Sequence, residues 1–293
     1  MSIRLTALTD LDRSASSHRL AWLAAGPTGS PLGSAFLRLP TVSGQDHLAE
    51  LELAVHPAER RHGIGSQLLA AAVAAARAEG RRCVTAQAEA DSPGDRFLAA
   101  LGFRKVLTLM FTRLELAQVS SAALTEIVRQ PHPGYRLESW DGTVPDQLAE
   151  SFARSRRAMD DMPMEDTDYG IVVWDVDRVR SVAQAVENRG DLLHTVAAVS
   201  VSDGAIVGFT ELVVPGDGRG DGQHYGTGVL PEHRGRRLGR WMKAQAIRQA
   251  VEYHPELDGL LTDTAESNRP MRAINDALGY LPTHTSLMYQ LDL

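Results

Sequence analysis

The chain has 293 residues, a length that suggests about two domains of ordinary size. Its hydrophobic fraction is 43% and its charged fraction 23%, both usual for a globular protein, and its formal net charge is −7. An acidic chain lacks the concentrated basic face that a nucleic-acid backbone requires, so we exclude nucleic acid as a partner. The lone cysteine, Cys83, excludes an internal disulfide and a multi-cysteine zinc site. Its flanks predict a strand with a buried thiol, and we predict no metal.

The sequence predicts neither a secretory leader nor a membrane partner. The N-terminus has no apolar run of the secretory type, and no segment approaches the ~18 apolar residues that a membrane span needs. A cytoplasmic protein is therefore the simplest interpretation. The sequence leaves monomer and homodimer equally open.

Strand and helix patterns alternate in the first half. A stretch rich in glycine and proline at residues 26–33 predicts a hairpin turn, and residues 49–55 alternate polar with apolar side chains as a strand does. A helix follows, because apolar residues recur at the spacing of a buried stripe over residues 64–76. It is predicted to end at Gly80, a residue type that fits a left-handed cap. Residues 84–88 predict another strand.

A break between two domains is predicted where two prolines flank His132, because proline interrupts both helices and strand ladders. We predict an N-terminal domain at residues 1–118, a linker at 119–134 and a C-terminal domain at 135–293.

The second half repeats the order of elements but has more residues before Arg234. The stretch from its first predicted strand, at Tyr135, to Arg234 is much longer than the matching stretch from Ser2 to Arg60. The extra length predicts two helices, at residues 144–159 and 176–187. The elements predicted after them are a strand at 224–230, a helix at 238–251, a strand at 259–263 and a helix at 269–278.

Two stretches of the chain are near copies. Residues 55–69 read VHPAERRHGIGSQLL and residues 229–243 read VLPEHRGRRLGRWMK, so that Arg60 and Arg234 hold the same place in the two copies. Further on, the triplet Leu-Gly-Phe at 101–103 matches Leu-Gly-Tyr at 278–280, at nearly the same offset along the chain. A nearly constant offset across two motifs indicates an internal duplication, that is, two domains of one mixed α/β fold.

Each copy has the properties of an anion-binding loop. Successive backbone N–H groups that lead into a helix N-terminus point at a ligand, and the helix dipole favours negative charge there. No Gly-Lys-Ser/Thr sequence follows the glycines, which excludes a P-loop. The dinucleotide fingerprint after the first strand is missing too, which disfavours a Rossmann site.

In this context the chain resembles tandem members of the GNAT superfamily of acyl-CoA-dependent N-acetyltransferases. That family carries Gln/Arg-x-x-Gly-x-Gly/Ala at the end of its fourth strand. Residues 60–65 (RRHGIG) match fully, whereas residues 234–239 (RGRRLG) have Arg237 where the first glycine is expected. We expect Gly235 to share the conformational demand. The second loop is similar to a variant in actinobacterial tandem members, so we do not interpret Arg237 as disabling.

The resemblance covers nearly the whole chain, most strongly residues 49–103 and 225–280. It implies an α/β fold of two tandem GNAT-like domains. Each would have a mostly antiparallel central sheet with a splayed strand pair and flanking helices.

The resemblance also implies acetyl-CoA as cofactor. The pyrophosphate would lie on the amides of residues 61–66 or 235–240, and the pantetheine along residues 53–55 or 227–229. Asn268 matches an asparagine of the family that contacts the cofactor. The residues expected to hold it are Val55, Arg60, Arg61, His62, Gly63, Ile64, Gly65 and Ser66 in the first half, and Thr227, Gly228, Val229, Arg234, Gly235, Arg236, Arg237, Leu238, Gly239, Arg240, Asn268 and Asn275 in the second.

Acetylation of an amine needs a base for the amine proton, donors for the oxyanion and, usefully, an acid for the thiolate. In this family the acid is often a tyrosine four residues before the glycine of the Gly-aromatic pair, but those positions here are Leu98 and Asn275. All six tyrosines lie at or after Tyr135. The first half also lacks the two helices expected to wall the acceptor site. We therefore predict a catalytic second half and a degenerate first half that still has a cofactor loop.

Glu211 is the candidate base, on a predicted strand that would edge the cleft; a solvated strand carboxylate is the alternative. His224 and Tyr225 begin the next strand and are further candidates for base or acid, since a histidine is easily tuned near neutral pH. The alternative for His224 is an exposed residue at a strand end. Glu50 and Glu52 hold the matching strand of the first half, where no acceptor pocket is predicted.

Residues 160–168 contain five carboxylates between the two extra helices. They form either a solvated connector or an acidic surface that attracts a cationic acceptor.

The function predicted from the sequence is acetyl transfer from acetyl-CoA to a primary amine of a small molecule, by direct attack, because no Cys–His or Ser–His constellation is visible. An aminoglycoside-type antibiotic or a polyamine fits the acidic run as acceptor. One alternative is an acetyltransferase like mycothiol synthase. The other is a non-catalytic acyl-CoA-binding regulatory module.

Overall fold

A computed structural model describes residues 3–8, 17–170 and 172–293 of the chain. The described residues fall into two units. Unit 1 comprises those of Met1–Thr108, Met164–Val173 and Thr285–Leu293, and unit 2 comprises those of Leu109–Pro163 and Trp174–His284.

The elements of unit 1 are β1 (Arg4–Leu8), β2 (Ser17–Ala25), β3 (Pro31–Pro40), β4 (Leu48–Val55), α1 (Ile64–Ala78), β5 (Cys83–Glu89) and α2 (Pro93–Ala100), with the first residues of β6 (Arg104–Glu115) and residues 285–292 of β12 (Leu281–Asp292). The sheet of unit 1 has the strand order β1-β2-β3-β4-β5-β12. Its neighbouring strands are antiparallel, except for the parallel pair β4–β5. One face is covered by α1, whose buried stripe includes Ile64, Leu68 and Ala72.

Residues 109–115 of β6 and 281–284 of β12 belong to unit 2. Its other elements are α3 (Ser121–Arg129), β7 (Tyr135–Asp141), α4 (Asp146–Ser155) with a 3-10 turn at Arg156–Met159, α5 (Val176–Asn188), β8 (Leu192–Ser200), β9 (Ile206–Val214), β10 (Gly220–Val229), α6 (Leu238–Tyr253), β11 (Leu257–Ala265) and α7 (Arg269–Ala277). The sheet of unit 2 has the order β6-β11-β10-β9-β8-β7 and is antiparallel except for the parallel pair β10–β11.

These elements confirm the predicted α/β class, with a mostly antiparallel sheet and flanking helices. The helix predicted at residues 64–76 is α1, and Gly80 beyond it has the left-handed φ of +71° that its C-terminus requires. The helix predicted at 144–159 is α4 and its 3-10 turn, and that at 176–187 is α5. Cys83 is buried, as predicted.

The parallel pair in each unit is splayed. β10 pairs with β11 from Gly220 to Gln223, opposite Leu257 to Leu261. Beyond that point, among the described residues, β10 continues only along β9 and β11 only along β6. In unit 1, β4 and β5 separate in the same way after Leu51. We call the space between residues 224–229 of β10 and 262–265 of β11 the splay.

The unit 2 sheet has a core on each face. On one face, Phe152 of α4 packs against Phe209 of β9, with ring centroids 5.6 Å apart. On the other, Ile247 of α6 packs with Leu212 of β9 and Leu260 of β11. We call these the α4 face and the α6 face.

The predicted domain limits differ from the units. Residues 121–129, predicted as part of a linker, form α3, whose Leu124 belongs to the core of the α6 face. Residues 285–293, predicted as part of the C-terminal domain, belong to unit 1, because Tyr289 and its apolar neighbours complete that core. Tyr289 also donates to Asp95 at 2.6 Å, so unit 1 does contain a tyrosine.

No helix in the described part of the chain is long and apolar enough to cross a membrane.

We predict that Leu124→Ala lowers the free energy of unfolding by about 3 kcal/mol, because a buried leucine in a packed core loses apolar contact and leaves a cavity. Leu124 is 5% exposed. Urea unfolding checks the value. Glu126→Ala, on the exposed side of α3, is the matched control and should change stability by less than about 0.5 kcal/mol. Equal, small effects of both substitutions would mean that α3 is a loose linker.

Candidate active site

The two duplicated loops share one backbone conformation. In the first loop (residues 60–66), the second and fourth positions are Arg61 and Gly63, with φ of +68° and +78°. In the second loop (residues 234–240), the same positions are Gly235 and Arg237, with φ of +75° and +61°. Each loop therefore places one glycine and one arginine in the left-handed region, at a cost of roughly 1–2 kcal/mol for the arginine. Arg237 changes the sequence of the second loop but not its conformation.

Backbone N–H groups converge at the start of α6. The first bond from this region into the helix is Trp241 N–H to the carbonyl of Arg237. The six N–H groups of residues 235–240 have no acceptor among the described residues. In unit 1 the first such bond is Gln67 N–H to the carbonyl of Gly63, so the N–H groups of residues 61–66 also have no acceptor among the described residues. Free amides at a helix N-terminus form an anion site, so both loops fit a diphosphate.

The first arginine of each loop is hydrogen-bonded inside the protein. Arg234 donates through Nε to the carbonyl of Val229 at 2.8 Å and through its two other nitrogens to the carboxylate of Asp161 at 2.6 and 2.7 Å. The hydrogen bond from Arg234 lowers the pKa of Asp161 below its usual range. Arg60 donates to Val55 at 3.3 Å. These arginines fasten the loop to the end of its strand, and the charge of Arg234 is already neutralised.

A cavity of about 530 Å³ adjoins the second loop. The loop side is formed by residues 235–237 and the opposite side by residues 130–133 and Tyr135. Tyr135 bonds to His233 at 2.9 Å and carries the guanidinium of Arg236 over its ring at 5.6 Å. A larger cavity of about 550 Å³ lies elsewhere in unit 2, between α3 and residues 277–283.

Glu211 is not a free carboxylate at the edge of a cleft. It is 4% exposed, and Arg156 donates to both of its oxygens, at 2.5 and 2.8 Å. Arg156 lies in the 3-10 turn after α4 and over the rings of Phe152, Phe209 and Trp174 at 4.5–4.8 Å. The pair is therefore a buried, aromatic-lined ion pair on the α4 face.

His224 and Tyr225 lie at a β-bulge in β10, next to the residue that pairs with Glu211. His224 lies opposite Leu212 and Gly226 opposite Glu211, so Tyr225 is the extra residue. His224 is buried on the α6 face, contrary to the exposed alternative, and burial holds its pKa well below the ordinary value. Tyr225 is 45% exposed and accepts a hydrogen bond from Arg189 at 2.6 Å. The structure thus does not bring the three catalytic candidates together.

Lys243, which the sequence patterns did not indicate as a functional residue, lies in a buried polar cluster on the α6 face. Lys243 of α6 is 1% exposed and donates to Asn275 Oδ1 at 2.8 Å. Asn275 in turn donates to Thr264 at 3.2 Å, so its amide is engaged inside unit 2. The Lys243 nitrogen lies 4.8 Å from the ring centroid of Tyr280. Burial lowers the pKa of Lys243 to about 7, against a smaller opposing effect of Asp263.

Asn268 caps α7. Its side-chain oxygen accepts from the N–H of Met271 at 3.3 Å, as an N-cap residue does. The side-chain amide of Asn268 has no acceptor among the described residues and is the part that can meet a cofactor.

The acidic run at residues 160–168 is divided between the units. Asp161 belongs to unit 2 and pairs with Arg234. Asp168 belongs to unit 1 and lies 3.3 Å from His47 and 3.8 Å from Arg82. At least these two carboxylates of the run are engaged in ion pairs, which favours the connector interpretation.

His47, Cys83 and Asp168 bring one potential metal ligand each within 4.8 Å of one another. Burial raises the pKa of Cys83 to about 11, so its thiol keeps its proton at neutral pH. Because the thiolate is the form that binds metals, we assign no metal to this group.

Comparisons with known proteins agree with the resemblance. The acetyltransferase (GNAT) family model matches residues 4–103 and 157–280. A mycothiol acetyltransferase of Sanguibacter keddieii is 31% identical over 225 residues, which are 75% of this chain and 67% of that protein. One of Nocardia farcinica is 30% identical over 246 residues, 83% of this chain and 75% of that protein. A solved tandem GNAT protein from the clavulanic acid biosynthesis pathway is 25% identical, with a TM-score of 0.77, and the match covers 96% of this chain and 84% of that one. The two matched segments confirm the predicted tandem arrangement.

The lowered pKa of Lys243 predicts how stability depends on pH. In the unfolded chain the lysine has a pKa of about 10.5 and in the folded chain about 7. Below pH 7 the buried Lys243 is charged in the folded chain, which lowers the free energy of unfolding. This loss of stability becomes smaller as the pH rises towards 10. The wild type should therefore gain about 1.4 kcal/mol per pH unit between pH 7 and 10, relative to a Lys243→Leu/Asn275→Leu variant. Urea unfolding at pH 7 and pH 9 measures the change, and a difference independent of pH would contradict it.

Proposed function

The chain belongs to the acetyltransferase (GNAT) family, and from that premise we propose that its second half transfers an acetyl group from acetyl-CoA to a primary amine of a small molecule. One observation carries the proposal. The six N–H groups of residues 235–240, at the positive end of α6, have no acceptor among the described residues. They come shortly after the end of β10, the strand that has separated from β11.

The residues of unit 2 fit the cofactor. The amides of residues 235–240 would hold its diphosphate, and the β10 residues 227–229 would guide the pantetheine through the splay. Thr227 is already fixed by a 2.7 Å hydrogen bond to Thr210, which keeps this stretch of strand in place. When bound, acetyl-CoA supplies an acyl group activated as a thioester. The side-chain amide of Asn268 is a further candidate for a cofactor contact.

Two features support the second half as the catalytic one. Helices α4 and α5 cover the α4 face of unit 2, whereas the described residues between β1 and β4 of unit 1 form a hairpin with no helix. The buried polar cluster of Lys243 and Asn275 has apolar counterparts in unit 1. When the two copies are aligned on their loops and on their Leu-Gly-aromatic triplets, these counterparts are Leu69 and Leu98.

Glu211 remains our candidate base. A carboxylate has about four acceptor positions, and Arg156 uses one on each oxygen, so each oxygen can accept another hydrogen bond. The two hydrogen bonds from the guanidinium fix the orientation of the carboxylate. We propose that Glu211 accepts the amine proton, directly or through one water molecule, from the α4 face.

The relatives bear on the acceptor. Four of them, 28–32% identical, carry the name mycothiol acetyltransferase, so the amine on which those enzymes act is the first acceptor to test. A cationic acceptor such as an aminoglycoside or a polyamine has weaker support, because Asp161 and Asp168 are paired. The second candidate function is a non-catalytic CoA-binding module. It is favoured by the missing tyrosines at Leu98 and Asn275.

We predict CoA release from acetyl-CoA in the presence of one amine of a panel that contains the mycothiol acetyltransferase acceptor, aminoglycosides and polyamines. Glu211→Gln should lower kcat by about 100-fold with little effect on CoA affinity, because an amide cannot accept the proton. Tight CoA binding without turnover of any amine would favour the non-catalytic module.

Calorimetry tests which loop holds the cofactor. Gly239→Glu puts a carboxylate beside the amides of the second loop, and we expect the CoA affinity of the catalytic site to fall more than 10-fold. Gly65→Glu is the matched change in the first loop, since Gly65 and Gly239 hold the same position in the two copies, and it should leave turnover intact. Loss of turnover in Gly65→Glu, with Gly239→Glu active, would move the proposed site to unit 1.

A further inference from the structure

Breaking a thioester leaves a negative charge on sulfur, and an acid placed there speeds the step. Resting on the proposed function, we propose that Lys243 donates the proton to the departing sulfur of CoA and that Asn275 positions its ammonium group. Asn275 stands where many members of the family have a tyrosine, four residues before Gly279.

Lys243 lies where β10 and β11 part. It donates to Asn275, whose amide donates to Thr264 on the splayed part of β11. Its nitrogen is 4.8 Å from the ring centroid of Tyr280, and the centroid of that ring is 6.1 Å from the ring centroid of His224, the residue after the last paired residue of β10. The ammonium group therefore lies at the apex of the splay. A group at the apex faces a cofactor arm that lies between the two strands.

Buried polar atoms without partners surround this apex. The hydroxyl of Tyr280 has no hydrogen-bond partner among the described residues, and neither ring nitrogen of His224 makes a hydrogen bond of good geometry there, although the backbone of Glu211 lies near that ring. His224 is 5% exposed and Tyr280 is 2% exposed. Buried polar groups are normally satisfied, so orphaned ones next to Lys243 indicate a polar ligand that completes them.

Lysine is a rare residue type in this chain. The chain has 30 basic residues, of which only two, Lys105 and Lys243, are lysines. Arginine keeps its proton in proteins, whereas a lysine in an apolar site can release one. The groups facing Lys243 are Asp263 on β11, His224 on β10, and Asn275 and Tyr280 at and after α7. Burial dominates among them and lowers the lysine pKa to about 7, a value suited to proton transfer at neutral pH.

The first copy of the duplicated fold has apolar residues where the second has this cluster. At the same positions unit 1 has Leu69 and Leu98, which are 7% and 5% exposed, and Phe103 in place of Tyr280. The fold is therefore complete without a lysine and an asparagine at these positions. A buried ammonium carries a desolvation cost that leucine avoids, so stability alone does not account for the pair in unit 2.

The proton balance closes. As the amine nitrogen bonds to the carbonyl carbon, the carbon–sulfur bond breaks and its electron pair stays on sulfur. Lys243 supplies one proton to that sulfur and becomes a neutral amine. The proton lost by the attacking nitrogen passes to the base on the α4 face, and Lys243 takes a proton from water after the thiol leaves. No oxidant, reductant or further reactant is needed.

The test compares four variants: Lys243→Leu, Lys243→Leu/Asn275→Leu, Lys243→Arg and Lys105→Arg. The double variant copies unit 1 and should fold. We expect kcat with acetyl-CoA to fall about 100-fold in every Lys243 variant, with the acetyl-CoA KM changed by less than about threefold. Lys243→Arg keeps the positive charge but cannot donate a proton at neutral pH, so this variant should not have the wild-type rate. Lys105, which is exposed, should be replaceable without loss.

Two further measurements separate an acid from a structural residue. The wild-type kcat should decline above pH 7 as Lys243 loses its proton, and this limb should vanish in Lys243→Leu. Acetyl-seleno-CoA, whose selenol is a far stronger acid than a thiol, should restore most of the lost rate because its leaving group needs no proton.

Lysine NMR provides a readout apart from activity. In ¹³C-lysine-labelled protein the two lysine signals are assigned by Lys105→Arg. We expect the Lys243 signal to titrate near pH 7 and to move on addition of CoA but not of desulfo-CoA, which lacks the sulfur. The inference would be overturned if the Lys243 signal responded equally to CoA and desulfo-CoA, or if Lys243→Arg had the wild-type kcat. Acetyl transfer by the wild type would still stand in either case. A wild type that turns over no amine would overturn both proposals.

Discussion

The separation of β10 from β11 is the constraint from which the candidate site follows. Two parallel strands that pair over only four residues of β10 and then diverge leave backbone edges that the sheet itself does not satisfy. Where the strands diverge, the end of β10 leads into the second loop, whose free amides lie at the N-terminus of α6. The anion site and the splay beside it thus both follow from the short pairing of β10 with β11.

The loop reaches its conformation in two ways within one chain. Both copies need left-handed backbone at their second and fourth positions, and each supplies glycine at only one of them. The first loop accepts the strain at Arg61 and the second at Arg237. Strain retained twice, in a loop whose amides have no partners in the described protein, is typical of a ligand-binding segment. Arg234 holds the strained loop in register by joining the strand end to Asp161.

Much of this fold is predictable from sequence because its signals are local. Apolar periodicity marks α1, and the repeated loop marks the duplication. The predicted start of β10 at His224 is four residues late, because Gly-Asp-Gly-Gln at residues 220–223 carries no apolar alternation. The domain limits depended on long-range packing: α3 is held by the core of the α6 face, and Tyr289 by the core of unit 1.

The site was harder to predict than the fold for the same physical reason. The sequence places Glu211 on a strand but does not show that it is paired with Arg156, 55 residues away in sequence. Lys243 looks like an ordinary position on an amphipathic helix. The one signal in the sequence was that lysine is rare, since the chain has only two. Pairing and burial are tertiary facts, and they decide which polar residue is free to act.

Amide hydrogen exchange of the second loop tests the central claim most directly. With CoA present, exchange at residues 235–240 should slow markedly, because the diphosphate accepts the free N–H groups. Acetyl-pantetheine, which has the thioester arm but no diphosphate, should leave these amides unprotected. Saturating CoA that leaves their exchange unchanged would show that the diphosphate binds elsewhere, and the account of this site would be wrong.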